Sequence, residues 1–258
     1  MKNILLPISF SETSKNALYC ANLIAKEHGA TLSLLHCYSG YEYNREHDFG
    51  ALGYDEGVRR MLKTFYTKNI SSIERQPIIL LACEGSVSDN ISEISHEYEL
   101  LVLSRRTGDL SISKIGFSDK LFYLTTKSPC PVLLLPSNRA VYSFSEVKNI
   151  WHIQRKDIET DLVKLQLLNL NINPNLVKSK SLQQETFLSL FWQNIVNYAK
   201  NPIDSELKRI TESYASEHID LLILVNHRKG IFENFLKDDT FRIISQFDIP
   251  ILVLQSNK

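Results

Sequence analysis

The sequence predicts an α/β protein built from two tandem, doubly wound, five-stranded parallel sheets in three layers, the second half a worn copy of the first. Three observations predict it. Short, continuously apolar runs alternate with stretches of helical periodicity, as strands covered on both faces and their crossover helices do. The 258 residues hold two units of ordinary domain size. Finally, the opening Lys2-Asn3-Ile4-Leu5-Leu6-Pro7-Ile8 is echoed by Lys148-Asn149-Ile150-Trp151-His152-Ile153 at the start of the second half.

The elements of the first half follow in order. Asn3 to Ile8 reads as a buried strand, and Ser9 to Ser14 supplies polar capping candidates for the helix that follows. Ala17, Leu18, Ala21, Leu23, Ile24 and Ala25 keep helical spacing, and Gly29 closes that helix. Thr31 to Cys37 is the second strand. A polar and aromatic loop around Tyr38 to Tyr54 then leads to a helix over Asp55 to Ser72. Pro77 to Cys83, the helix Ser86 to Tyr98 and the strand Leu100 to Leu103 continue the alternation. After a loop from Ser104 to Gly116, a helix over Phe117 to Thr126 precedes the last strand, Pro131 to Leu135, which Pro136 ends. Parallel neighbours require right-handed crossovers, so this alternation implies helices on both faces of one sheet. The first domain is assigned to 1–138.

The polar stretch Ser137 to Glu146 reads as a linker, and the second domain is assigned to 145–258. Its strongest signals are Ile219 to Leu224 and Ile249 to Leu254, about as far apart as Leu100 to Leu103 and Val132 to Leu135 in the first half. Between the second half's opening strand and these lie an expected helix near 156–168, a strand near 175–180, a helix near 182–192, a strand at 195–199 and a helix over 203–218.

Composition excludes several function classes. Lys and Arg total 29 against 29 Asp and Glu, so no global field steers nucleic acid or anionic lipid. No apolar stretch reaches the roughly 18 residues of a membrane span, and residues 1–10 are too short for a signal peptide, so a cytoplasmic protein is expected. Cys20, Cys37, Cys83 and Cys130 form no CxxC and have no histidine at metal spacing, so they are expected to be reduced, with no metal site. His36 and His152 lie in strand-like runs, where a histidine is usually hydrogen-bonded structure. Phe187, Phe191, Trp192 and Tyr198 read as core or partner-contact residues. No nucleophile elbow, phosphate-binding P-loop or paired-carboxylate arrangement is present, so no catalytic residue is assigned.

Ile4-Leu5-Leu6-Pro7-Ile8-Ser9-Phe10-Ser11-Glu12 resembles the opening strand and helix start of universal stress proteins, and Ser128-Pro129-Cys130-Pro131-Val132-Leu133 resembles their final strand. The resemblance is specific over the first 138 residues and looser beyond. It implies the adenine-nucleotide alpha-hydrolase-like fold. ATP-binding members carry an Asp after the first strand and a glycine-rich loop after the fourth, where glycines admit phosphates and a helix N-terminus favours the anion. Ser9 stands where that Asp would be. Gly108 and Gly116 are separated by seven residues, against nine in the family pattern, and Asp119 adds a negative charge. In the second half, His227, Arg228, Lys229 and Gly230 leave one glycine in the corresponding loop, and Asp238 and Asp239 follow.

Ser9, Arg105, Arg106, Gly108, Gly116 and Ser118 are therefore the candidate anion or nucleotide site, with ATP or AMP as the ligands the resemblance suggests. The same residues also read as a solvated loop face with Ser118 as an ordinary helix cap. The leading expectation is a non-catalytic stress-response interaction protein that has lost the family's ATP binding and needs no cofactor. A nucleotide or anion sensor is the alternative, and a slow nucleotide hydrolase, resting on fold analogy, comes third. The resemblance further implies an intrachain pseudo-dimer in which Val132 to Leu135 pairs antiparallel with Ile251 to Leu254. A protein partner or homodimer is compatible with it.

Overall fold

The computed structural model describes residues 1–39, 53–104, 124–125, 128–136, 143–154, 160–181, 218–227 and 249–256. In the first half, the apolar runs form β1 (Asn3–Pro7), β2 (Thr31–Tyr38), β3 (Ile78–Glu84), β4 (Leu100–Ser104) and β5 (Val132–Leu135). The second half contributes β6 (Ile150–Gln154), β7 (Val177–Ser181), β8 (Leu221–His227) and β9 (Ile251–Ser256). The described α-helices are α1 (Glu12–His28), α2 (Tyr54–Asn69), α3 (Val87–Ile94) and α4 (Thr160–Asn169).

All these strands join one sheet in the order β3-β2-β1-β4-β5-β9-β8-β6-β7. Neighbours run parallel within each half, and β5 meets β9 antiparallel, with Val132 opposite Val253, Leu133 opposite Leu252 and Leu134 opposite Ile251. Read outward from this seam, the first half runs fifth, fourth, first, second, third. The second half repeats the first four of those places. Its expected strand at 195–199 and the expected helix over 182–192 lie outside the described residues, as does the expected helix over 203–218 except for His218, which is not helical.

The repeat extends to individual hydrogen bonds. Glu99 N donates to Asn3 O at 3.1 Å, and Asp220 N donates to Asn149 O at 2.9 Å. Leu101 N reaches Pro131 O and Leu222 N reaches Pro250 O, both at 3.0 Å. The acidic side chains match as well: a Glu99 carboxylate oxygen accepts from Lys2 N. Asp220 Oδ2 accepts from Lys148 N and Asn149 N at 3.0 Å each.

Alternate strand residues line opposite faces of the sheet, as a period of two requires. One face carries Ile4, Leu6, Val102, Leu133, Leu252, Ile223 and Ile150 in a single apolar cluster under α1, α2 and α4. The other carries Leu5, Leu101, Val132, Val253, Leu222 and Trp151 beside Ile91 of α3 and Leu124. Helices α1 and α4, which occupy the same place in the two halves, share a face. An antiparallel β5–β9 seam places them so, because it relates the halves by an approximate two-fold axis normal to the sheet.

Two helices end before the sequence predicts: α2 at Asn69, where Ser72 is expected, and α3 at Ile94, where Tyr98 is expected. After Ile94 the chain tightens into a 3₁₀ turn, Ser95–Glu97, in which Tyr98 N bonds back to Ser95 O at 3.3 Å. The described part of α4 is Thr160–Asn169, and residues 156–159 of the expected helix lie outside the described residues.

Candidate functional site

Open α/β sheets bind ligands beyond the carboxyl ends of their strands, where the strand order reverses. In the first half the reversal falls between β1 and β4. Ser9 stands just past β1 there, at the N-terminus of α1.

Ser11 is the N-cap of α1 and accepts from Ser14 N at 3.3 Å. Ser14 is fully buried, and its Oγ accepts from Ser9 N at 3.0 Å. The Ser9 hydroxyl bonds those of Ser14 at 2.9 Å and Ser11 at 3.0 Å, and Ser11 also bonds Thr13 Oγ1 at 2.9 Å. The position that carries a carboxylate in ATP-binding relatives thus belongs here to a network of neutral hydroxyls bonded to one another. A serine hydroxyl both donates and accepts, so these hydroxyls bond one another with no ionised group among them.

Between Ser9 and Ser11, Phe10 adopts φ +58°. Such left-handed geometry costs a residue with a Cβ about 1–3 kcal/mol and persists only where its surroundings hold it. Here the surroundings are aromatic. The Phe10 ring centroid lies 4.6 Å from that of His36 and 5.5 Å, edge to face, from that of Phe65. His36 is held in turn by its Nδ1, which donates to Ile8 O at 2.7 Å. That bond agrees with the structural reading of His36.

A second polar group lies at the end of β2. Tyr38 Oη donates to Asp55 Oδ1 at 2.5 Å, and its ring stacks on Tyr54 at a centroid distance of 6.0 Å. Hydrogen bonding to Asp55, aided by burial, pushes the Tyr38 phenol up to about 12, so it stays a donor at neutral pH. Asp55 also faces Arg59 at 3.8 Å.

Of the residues assigned from sequence, the structure places Ser9 in this crevice. Arg105, Arg106, Gly108, Gly116 and Ser118 lie outside the described residues, as do Asp119, Arg228, Lys229, Gly230, Asp238, Asp239, Phe187, Phe191, Trp192 and Tyr198. What sequence reasoning missed is the company Ser9 keeps. Ser11 and Ser14 were visible as capping candidates, but a positive φ at Phe10 and a contact across 26 residues to His36 leave no local signal. Among the described residues no group of three or more His, Cys, Asp or Glu side chains could hold a metal ion.

The sequence profile of the universal stress protein family matches residues 1–136, slightly more than half of the chain. This chain belongs to the universal stress protein family. The fold agrees across both halves. A universal stress protein from Archaeoglobus fulgidus is similar at 12% identity and a TM-score of 0.63, the match covering 99% of this chain and 97% of that one. A functionally unknown protein from Pseudomonas aeruginosa is similar at 14% identity and a TM-score of 0.60, over 99% and 92% of the two chains. At such identities the likeness is one of fold. Among curated proteins, none matches the sequence. Among the described residues, no helix is long and apolar enough to cross a membrane.

Proposed function

We propose that this universal stress protein is a non-catalytic, cytoplasmic stress-response interaction protein, an intrachain pseudo-dimer whose first-half crevice has given up the family's carboxylate route to ATP. The observation that carries the proposal is the network of neutral hydroxyls around Ser9, which puts no ionised group where the family's ATP-binding members carry an Asp. Phe10, packed against His36 and Phe65 beside it, supports the same reading. The β5–β9 seam supports the pseudo-dimer. An edge strand that single-domain relatives would offer to another copy is already paired within this chain.

A thermal-shift titration with ATP, AMP and inorganic phosphate, with and without Mg²⁺, tests the proposal, because any ligand of the native state raises apparent stability. No shift at millimolar ligand is expected. A saturable rise that is lost on Arg105→Ala with Arg106→Ala would overturn it in favour of an anion or nucleotide sensor. ATP hydrolysis faster than in buffer would overturn the non-catalytic part.

A further inference from the structure

The four cysteines all carry thiols, but they do not share one environment. Cys20 and Cys130 are 1% and 5% exposed, whereas Cys37 and Cys83 are only partly buried. Cys37 and Cys83 are also direct register partners in the parallel pair β2–β3, and both pack against the same apolar cluster, so their side chains project from the same face. Far apart in sequence, they are brought side by side by strand pairing.

Neighbouring strands lie about 4.8 Å apart, which is within the roughly 4.4–6.8 Å between Cα atoms that a disulfide spans. In-register Cβ atoms must still draw together, because a disulfide holds them at about 4 Å. The structure gives room for that movement. Cys37 and Cys83 each sit one residue from the end of their strand, and β3 is an edge strand with a described neighbour on one side only. Directly beyond β3, Gly85 turns the chain at φ +104°.

We infer that Cys37 and Cys83 form a reversible thiol–disulfide pair that hydrogen peroxide closes. One thiol gives up its proton, the thiolate attacks a peroxide oxygen, the O–O bond breaks, and a sulfenic acid and hydroxide result, the hydroxide taking up the released proton to give water. The second thiolate then attacks the sulfenic sulfur and expels hydroxide, which takes up a proton to give a second water. Two thiols thus lose two electrons and two protons, and one peroxide becomes two waters. Burial, with the Asp55 carboxylate second, pushes the Cys83 thiol up, which suits it to the later, resolving step and makes closure faster as pH rises. A cross-strand link that must pull two strands together is of the strained and readily reduced kind. Closure would join the strand ends beside Tyr38, at the mouth of the first-half sheet.

The test is peroxide treatment of the full chain, alkylation of the remaining thiols, intact mass measurement and a non-reducing peptide map. The expected result is a loss of two hydrogens, a fall from four titratable thiols to two, a single link joining the Cys37 and Cys83 peptides, and full reversal by dithiothreitol. Cys83→Ser should gain oxygen at Cys37 instead of losing hydrogen, and Cys37→Ser, which leaves the resolving thiol alone, should form no link. Four surviving thiols, oxygen addition without a link in the unmodified chain, a link to Cys20 or Cys130, or a link between two chains would each overturn the inference. The peptide map of the unmodified chain decides even where a serine variant fails to fold.

Discussion

Ser14 shows how one buried hydroxyl organises the mouth of the first-half sheet. Its Oγ accepts from Ser9 N and bonds Ser9 Oγ, so removing it strands a backbone donor in a part-buried turn. An orphaned buried polar group costs about 1–3 kcal/mol. Ser14→Ala is therefore expected to lower unfolding stability by that order, read as a lower urea midpoint at unchanged slope. The hydroxyls themselves were legible in the sequence, since serines before a helix are capping candidates. Their mutual bonding was not, because it depends on Phe10 turning to φ +58° and on the ring of His36, which arrives from the next strand.

The elements were the most legible level. Capping chemistry bounds helix α1 by the run Ser9 to Ser14 and by Gly29, and the structure selects Ser11 from that run as the N-cap. Ser11 is extended and accepts from Ser14 N. Gly29, at φ +60°, sends its N–H back toward the last turn. An added Cβ at Gly29 would meet nothing within 4 Å, so the cost of substitution there is conformational alone. Gly29→Ala is expected to destabilise by about 1–2 kcal/mol, the penalty of left-handed backbone for a residue with a Cβ, with no change in structure. A smaller shift in the thermal midpoint than that cost implies would show that the turn relaxes out of the left-handed region. The sequence was less informative where periodicity is weak. Helix α3 reads as running to Tyr98, yet the chain tightens at Ser95, because polar and apolar residues there fit an α turn and a 3₁₀ turn equally well until Glu99 N is fixed on Asn3 O of β1.

At the scale of the molecule, the seam joins two halves into one sheet and is reinforced on both faces. Glu27, at the end of α1, accepts from Phe144 N at 3.2 Å and Ser145 Oγ at 2.6 Å. Gln255 Nε2 donates to Thr125 O at 3.1 Å, while Gln255 O accepts from Gln166 Nε2 at 2.7 Å. Asn171 Nδ2 donates to His28 Nδ1 at 3.3 Å. With apolar clusters running through the seam on both faces, the halves should unfold together. In a Trp192→Phe background, the fluorescence of buried Trp151 and far-UV circular dichroism are expected to give coincident urea transitions, the signature of one cooperative unit. Two separated transitions would mean that the seam does not couple the halves.

By itself, the sequence determined the α/β class, the strands and α1 to α3 of the first half, and the repeat, since each is written in periodicity, capping residues and self-similarity over short windows. It also placed β5 against β9, through a family resemblance carried by Pro131 to Leu135 and Ile251 to Leu254. Tertiary structure alone decided which side chains meet: Ser9 with Ser14, Phe10 against His36, Tyr38 on Asp55, and Cys37 beside Cys83. Those meetings depend on strand register and on backbone angles that no local pattern encodes, because a shift of one residue turns every side chain to the opposite face while leaving the periodicity of the sequence unchanged.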